Sequence, residues 1–274
     1  MKNNATISIA LWFDNQAMEA MNFYTSIFPN SKINQHNAIV TDATIAGVQF
    51  TGINGGPDFR PNPSISMMVI IETKEEVDTI WTKLLPEGKV LMPLDEYPWS
   101  QYYGWLEDKY GVSWQLYLGK LSDVQDQQIV PTLMFTQQQN GQCEEALSFY
   151  SSVFSDFKSF GILRHNEGEL SGLVQHTQFS ANNFLFMAMD GGSTHNFSFN
   201  EGVSFVVHCD DQQDIDYYWD MLTRQGEESM CGWCKDPYGV SWQVVPKGID
   251  KMLQTPAATA SLMRMKKIII GDLK

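Results

Sequence analysis

One phrase is written twice in this chain, and it narrows the folds open to it. Residues 108–115 read Asp-Lys-Tyr-Gly-Val-Ser-Trp-Gln, and residues 236–243 read Asp-Pro-Tyr-Gly-Val-Ser-Trp-Gln. Agreement this dense over so long a separation marks an internal duplication. The phrase has the chemistry of a hairpin that delivers a strand. Its Asp caps a turn through the carboxylate, Gly111 and Gly239 supply positive φ, and Val-Ser-Trp-Gln alternates. On that strand Ser113 and Gln115 face one side and Trp114 the other, and Ser241, Gln243 and Trp242 repeat the arrangement.

The rest of the chain repeats around the phrase. An alternating stretch at 7–13 predicts a strand, with Asp14-Asn15-Gln16 as turn or N-cap. Ala17, Met21, Tyr24 and Phe28 then recur at helical spacing. Their echoes are a strand at 132–135 and the helix of Ala146, Leu147, Tyr150 and Phe154. Asn54-Gly55-Gly56 returns as Asp190-Gly191-Gly192, both with turn signatures. The strand at 66–70 returns at 204–208, and the helix opened by Thr73 in a capping box, with Asp78, Trp81 and Leu84, returns with Asp216, Trp219 and Leu222. A Pro-rich stretch around Pro93 and Pro98 reads as a connection. The boundaries expected are a first module at 1–122, a polar linker at 123–130, a second module at 131–248 and a helical tail at 249–274. The tail helix is expected over 257–270, with Arg264, Lys266 and Lys267 favourable against its dipole. A repeat of this length is a folded module and not a solenoid unit.

Charge excludes several partners. The chain has 274 residues with 18 basic against 32 acidic, a net charge of -14, which repels nucleic acid and anionic membrane surfaces. The apolar run at 7–13 is broken by Asp14 and is too short for a secretory core or a membrane span. The expectation is a soluble, cytoplasmic protein with no nucleic-acid or membrane partner. Four cysteines do not make a disulfide scaffold. Cys231-Gly232-Trp233-Cys234 matches a redox or zinc CxxC on paper, but the repeat aligns it with Tyr103-Gly104-Trp105-Leu106 in a strand. There residues i and i+3 point to opposite faces, so packing cysteines are expected. His36, His165, His176, His195 and His208 show no pairing between the halves and read as structural or surface residues.

The phrases Leu11-Trp12-Phe13-Asp14, Ala20-Met21-Asn22-Phe23-Tyr24 and Asp-x-Tyr-Gly-Val-Ser-Trp-Gln resemble the glyoxalase/bleomycin-resistance/dioxygenase group, the vicinal oxygen chelate superfamily. The resemblance spans residues 7 to 248 and is closest to its PhnB-like branch, often filed as 3-demethylubiquinone-9 3-methyltransferase. It implies an α+β fold of two tandem βαβββ glyoxalase-like modules with curved mixed sheets around a cavity, plus the C-terminal helix. The modules are expected to pair edge to edge within one chain, and exchange between two chains in a homodimer is the competing arrangement.

Metal enzymes of that superfamily take ligands from the first strand, usually His, and a Glu of the last strand. Gln115 and Gln243 stand at the last-strand position here, and the first strands carry no His, so no cofactor is expected. A methyltransferase cofactor site would want a Gly-rich strand-to-helix turn, and the Gly-Gly pairs sit in hairpin-like turns instead. The expected ligand-binding residues for a small molecule are Gln115, Gln243, Ser113 and Ser241 as a polar floor, walled by Trp105 and Trp233. The bland reading is that the amides satisfy buried backbone groups and the tryptophans are core. The functional expectation is metal-independent small-molecule binding. A divalent-metal lyase, isomerase or dioxygenase is the alternative from the resemblance, and a partner-binding module using the tail helix is a third.

Overall fold

The computed structural model describes residues 5–273. A first unit runs β1 (Thr6–Phe13), α1 (Ala17–Ile27), β2 (Lys32–His36), β3 (Val40–Ile45) and β4 (Val48–Asn54). A second runs β5 (Ile65–Ile71), α2 (Lys74–Leu84), β6 (Lys89–Tyr97), β7 (Ser100–Glu107) and β8 (Ser113–Leu118). The second repeat supplies a third unit, β9 (Ile129–Thr136), α3 (Cys143–Val153), β10 (Lys158–Arg164), β11 (Val174–Ala181) and β12 (Phe184–Gly192). It also supplies a fourth, β13 (Val203–Cys209), α4 (Gln212–Thr223), β14 (Glu227–Glu228), β15 (Trp233–Lys235) and β16 (Ser241–Pro246). Each repeat therefore carries the βαβββ order twice. The tail adds α5 (Ile249–Met252) and α6 (Pro256–Leu262).

The units pair as nested brackets. One eight-stranded sheet has the order β14-β15-β16-β13-β1-β4-β3-β2, joining the fourth unit to the first. The other, β10-β11-β12-β9-β5-β8-β7-β6, joins the third to the second. These are called the terminal and the central sheet below. Within each unit the first and last strands are parallel, and the units meet through antiparallel pairs, β1 with β13 and β5 with β9. Both sheets are therefore mixed, and both are shared between the repeats inside one chain.

Strand alternation sorts the residues into two environments. Ile7, Ile9, Leu11 and Phe13 of β1 and Met67, Val69 and Ile71 of β5 face the helices, in a single core that includes both sheets and all four long helices. Burial of each such side chain contributes roughly 1.5–3 kcal/mol. The intervening residues, Ala10 on β1 and Met68 and Ile70 on β5, face the inner sides, away from the four long helices, where two smaller clusters form. Among the described residues no helix is long and apolar enough to cross a membrane.

Three local expectations are revised. The 14–16 segment gives α1 no side-chain cap; instead Asn54 Oδ1, at the end of β4, accepts from the Ala17 amide at 2.9 Å. Asp190 does the same in the second repeat, taking the Gly141 and Cys143 amides. The Asx-Gly-Gly sequences are thus strand ends that cap the helix of their own unit, and Gly55 is required because a Cβ there would stand 2.0 Å from the Trp12 ring. The Pro93 stretch is an edge strand, β6, with irregular register, where a missing amide is tolerated. The tail helix stops at Leu262, and the residues after it run back over the terminal sheet. Lys266 and Lys267 lie beyond the helix and pair with Glu228 and with Asp216 and Asp220, so the expected dipole interaction gives way to ion pairs.

Candidate ligand-binding faces

The duplicated phrase works first as a structural knot. Asp108 Oδ1 accepts from the Tyr110 and Val112 amides at 2.8 and 3.1 Å, closing the turn. Its Oδ2 accepts from the Tyr24 hydroxyl at 2.7 Å and Trp114 Nε1 at 2.8 Å. Asp236 repeats all four bonds with Tyr238, Val240, Tyr150 and Trp242. Each carboxylate therefore ties a helix of one unit to the last strand of the next. Burial pushes both carboxyls up to about 6, opposed by the Tyr, Trp and amide donors. Trp114, fully buried, packs on Tyr24 and Phe28, as its alternation required.

The other side of the same strand meets the inner face. On the central sheet, Trp105 Nε1 donates to Ser113 Oγ at 2.7 Å, the Tyr103 hydroxyl donates to Gln115 Oε1 at 2.7 Å, and Gln115 Nε2 donates to Ser66 Oγ. Sequence reasoning placed Ser113, Gln115 and Trp105 together but missed Tyr103 and Ser66, which the odd-numbered register of β7 and the match of Ser66 to Ser204 could have indicated. Around this floor stand Met68, Met134, Met187 and Leu185. The β6–β7 hairpin closes over one side, where half-exposed Trp99 stacks on Tyr97 at 5.4 Å and meets Tyr103 edge-on at 4.6 Å.

Thr132 lies opposite Ser66 across the β5–β9 junction, on the same inner face. Among the described residues three buried side-chain polar atoms lack a hydrogen-bond partner: Thr132 Oγ1, Ser241 Oγ and Ser100 Oγ. A buried hydroxyl left unpaired costs about 1–3 kcal/mol, so Thr132 Oγ1 is a polar group in the middle of the floor that the chain itself leaves unmatched.

On the terminal sheet the floor is only partly repeated. Gln243 Nε2 donates to Ser204 Oγ at 3.0 Å, matching Gln115 and Ser66. Trp233, however, turns edge-on to Trp12 at 5.7 Å, and Ser241 is left without the partner that Ser113 has in Trp105. His208 is half-buried on this face with Nε2 2.8 Å from Ser8 Oγ. Gln115 and Gln243 thus lie on separate sheets and do not share one floor.

The donors do not fit the superfamily's metal. Gln115 has its carbonyl engaged by Tyr103 and its amide by Ser66, and its neighbours are hydroxyls and thioethers. Among the described residues no group of three or more His, Cys, Asp or Glu is placed to hold an ion. The CxxC sulfurs diverge, but not through the expected strand: only Cys234 lies in β15, while Cys231 and Gly232 form a turn at positive φ. Cys234 joins the helix-side core, while Cys231 Sγ lies against Met263 and the Leu262 carbonyl of the tail. Burial raises both thiols, against the lowered pKa of a redox pair. A cleft of about 270 Å³ lies at the junction of the two sheets, lined by Asn30, Gly47, Gln125, Asp126, Gln127 and Asn183. None of the expected site residues lines it, and Gln127 is already bonded to Leu185.

Two mixed sheets of βαβββ units define the glyoxalase fold, and glyoxalase I from Zea mays shares it. That structure aligns over 88% of this chain and 92% of its own with a TM-score of 0.54, at 11% identity, which is a likeness of fold alone. The family model described as 3-demethylubiquinone-9 3-methyltransferase matches residues 5–117 and again 127–245, so the chain belongs to that family, within the vicinal oxygen chelate superfamily. A putative 3-demethylubiquinone-9 3-methyltransferase, PhnB protein, from Bacillus cereus is 41% identical over 41% of this chain and 98% of its own, with a TM-score of 0.38. A protein from Staphylococcus aureus is 30% identical over 42% of this chain and 96% of its own, with a TM-score of 0.20. No curated protein matches the chain.

Proposed function

We propose that the protein binds a small, partly apolar molecule on the inner face of the central sheet without a resident metal. The observation that carries this reading is Thr132 Oγ1, a fully buried hydroxyl with no partner, beside the Gln115–Ser66 pair. The methionines around it suit ligands of varied shape, because the thioether chain repacks at low cost. Trp99, half-exposed and in contact with Tyr97 and Tyr103, is where a ligand would enter in this reading. No methyl-transfer step follows from these residues, since the Gly-Gly pairs end strands and open no helix.

Thermal-shift screening followed by native mass spectrometry tests the reading. A ligand is expected to bind one per chain and raise the melting temperature. Thr132→Val should weaken it at least tenfold while Ser241→Ala leaves it unchanged. Equal affinity in Thr132→Val would overturn the assignment. Elemental analysis of the purified protein checks the metal-independent part, and stoichiometric Ni, Zn, Fe or Mn would reverse it in favour of a metal-assisted lyase, isomerase or dioxygenase.

A further inference from the structure

The inner face of the terminal sheet is covered by the chain's own tail. Ile268 and Leu273 are buried there with Ala10, Val206 and Val245, and Met252, Leu253, Leu262 and Met265 pack around them. Beneath lie the unpartnered Ser241 hydroxyl, the Gln243–Ser204 pair and Trp233. Besides these apolar anchors, which are few for a segment of this length, the tail is held by polar links at its rim. Met265 and Lys266 carbonyls accept from the consecutive Cys231 and Gly232 amides at 2.7 and 2.8 Å. Gln212 brackets the Ile268 carbonyl and the Ile270 amide. Lys266 and Lys267 make only exposed ion pairs, with Glu228, Asp216 and Asp220, and such pairs are weak and screened by salt. Within α6 only Ala258 is buried, which is the profile of a segment that opens well below the free energy of global unfolding.

We infer that residues 249–273 are a displaceable internal occupant, and that this face is a second binding site, available when the tail leaves. What the tail presents defines the ligand. It is an extended aliphatic surface carrying two carbonyl oxygens, placed on two successive amides that both sit at positive φ. The matching class is an elongated aliphatic molecule ending in a carboxylate or carbonyl, with its acceptor on Cys231 N and Gly232 N and its chain over Ala10, Val206 and Val245. The inference stands apart from the central-sheet reading, since it uses none of that face's residues.

The test uses the full chain, its Lys266→Glu/Lys267→Glu form, and the fluorescent fatty acid 11-(dansylamino)undecanoate. Hydrogen exchange should show the Cys231, Gly232 and Ile270 amides opening at least about 100-fold faster than those of β13 and β16. The charge reversal should accelerate that opening roughly tenfold and tighten probe binding by a similar factor, because apparent affinity scales with the open fraction. Adding Val206→Trp to fill the face should abolish the gain, and Thr132→Val should leave it intact. Should the charge-reversed chain fold poorly, raising NaCl on the wild type from 50 to 500 mM must produce the same paired change. Exchange of the three amides only through global unfolding overturns the inference. So does opening without any gain in probe binding, or a gain that survives Val206→Trp.

Discussion

The two inner faces start from one sequence and end differently. Both keep the Gln-to-Ser bond, Gln115 with Ser66 and Gln243 with Ser204. What differs is the chain between the second helix of each repeat and its Asp turn. In the first repeat residues 85–107 build the long β6–β7 hairpin; in the second, residues 224–235 leave only the short β14 and β15. Tyr103, which satisfies Gln115, is replaced at the corresponding place by Cys231, which has no hydroxyl to offer. The tail then runs alongside the stub and takes its free amides. The floor of a duplicated face can thus be preserved while its cover is exchanged, a hairpin on the central sheet and the tail on the terminal one.

The most severe way to break this comparison is to separate the repeats. Each sheet needs strands from both, so halves produced by cutting before Pro131 should aggregate or reassociate, as read by size-exclusion chromatography with light scattering. Two soluble monomeric halves, each unfolding cooperatively, would mean the faces are not built jointly. Next comes the feature the repeats share most fully. Asp108→Ala and Asp236→Ala each strand four donors, and each should cost roughly 3–5 kcal/mol in chemical denaturation. A large inequality between them would show that the knots are not equivalent.

Smaller changes sharpen the asymmetry. Tyr103→Phe should destabilise by about 1–2 kcal/mol by leaving Gln115 Oε1 unpaired, while Cys231→Ala, at the equivalent position, should cost under about 1 kcal/mol. Thr132→Val and Ser241→Ala remove hydroxyls that have no partner, and both should be neutral or stabilising by up to about 1 kcal/mol in the free protein, unlike Ser66→Ala, which breaks a bond. The pH effect is of similar size. The Asp108 and Asp236 carboxyls are raised to about 6 in the folded chain, so the folded state binds more protons than the unfolded one between about pH 4 and 6. Their contribution to stability is therefore full below about pH 4 and is lost as pH rises through 6. Going from pH 7 to 5 should gain the wild type about 1 kcal/mol per carboxyl relative to Asp108→Asn, measured by urea midpoints.

The duplicated phrase made the turn, the strand and the facing of Ser113, Trp114 and Gln115 legible in advance, because those depend on φ at one glycine and on period-two alternation. The same rules could not say which strands would be neighbours. Nothing local in Ile7 or Val207 announces that they pair, so the division of each repeat between two sheets had to come from the structure. Asn54 and Asp190 were misread for a related reason. An Asx before two glycines has the chemistry of a turn, and only tertiary placement turns its side chain into a helix cap. The tail misled through composition. Its basic residues suited a helix end, but the aliphatic Ile268 is worth more on the terminal sheet than in another turn of an exposed helix.

The nested pairing also sets a timetable for synthesis. The Ser8 and His208 side chains that meet across the terminal sheet are 200 positions apart. At roughly 5–20 residues per second, β1 emerges from the ribosome roughly 10–40 s before its neighbour β13 exists. The central sheet, whose units are consecutive, can close during that interval. The nascent first unit must meanwhile wait with one edge of β1 unpaired, so the terminal sheet is completed after the central one.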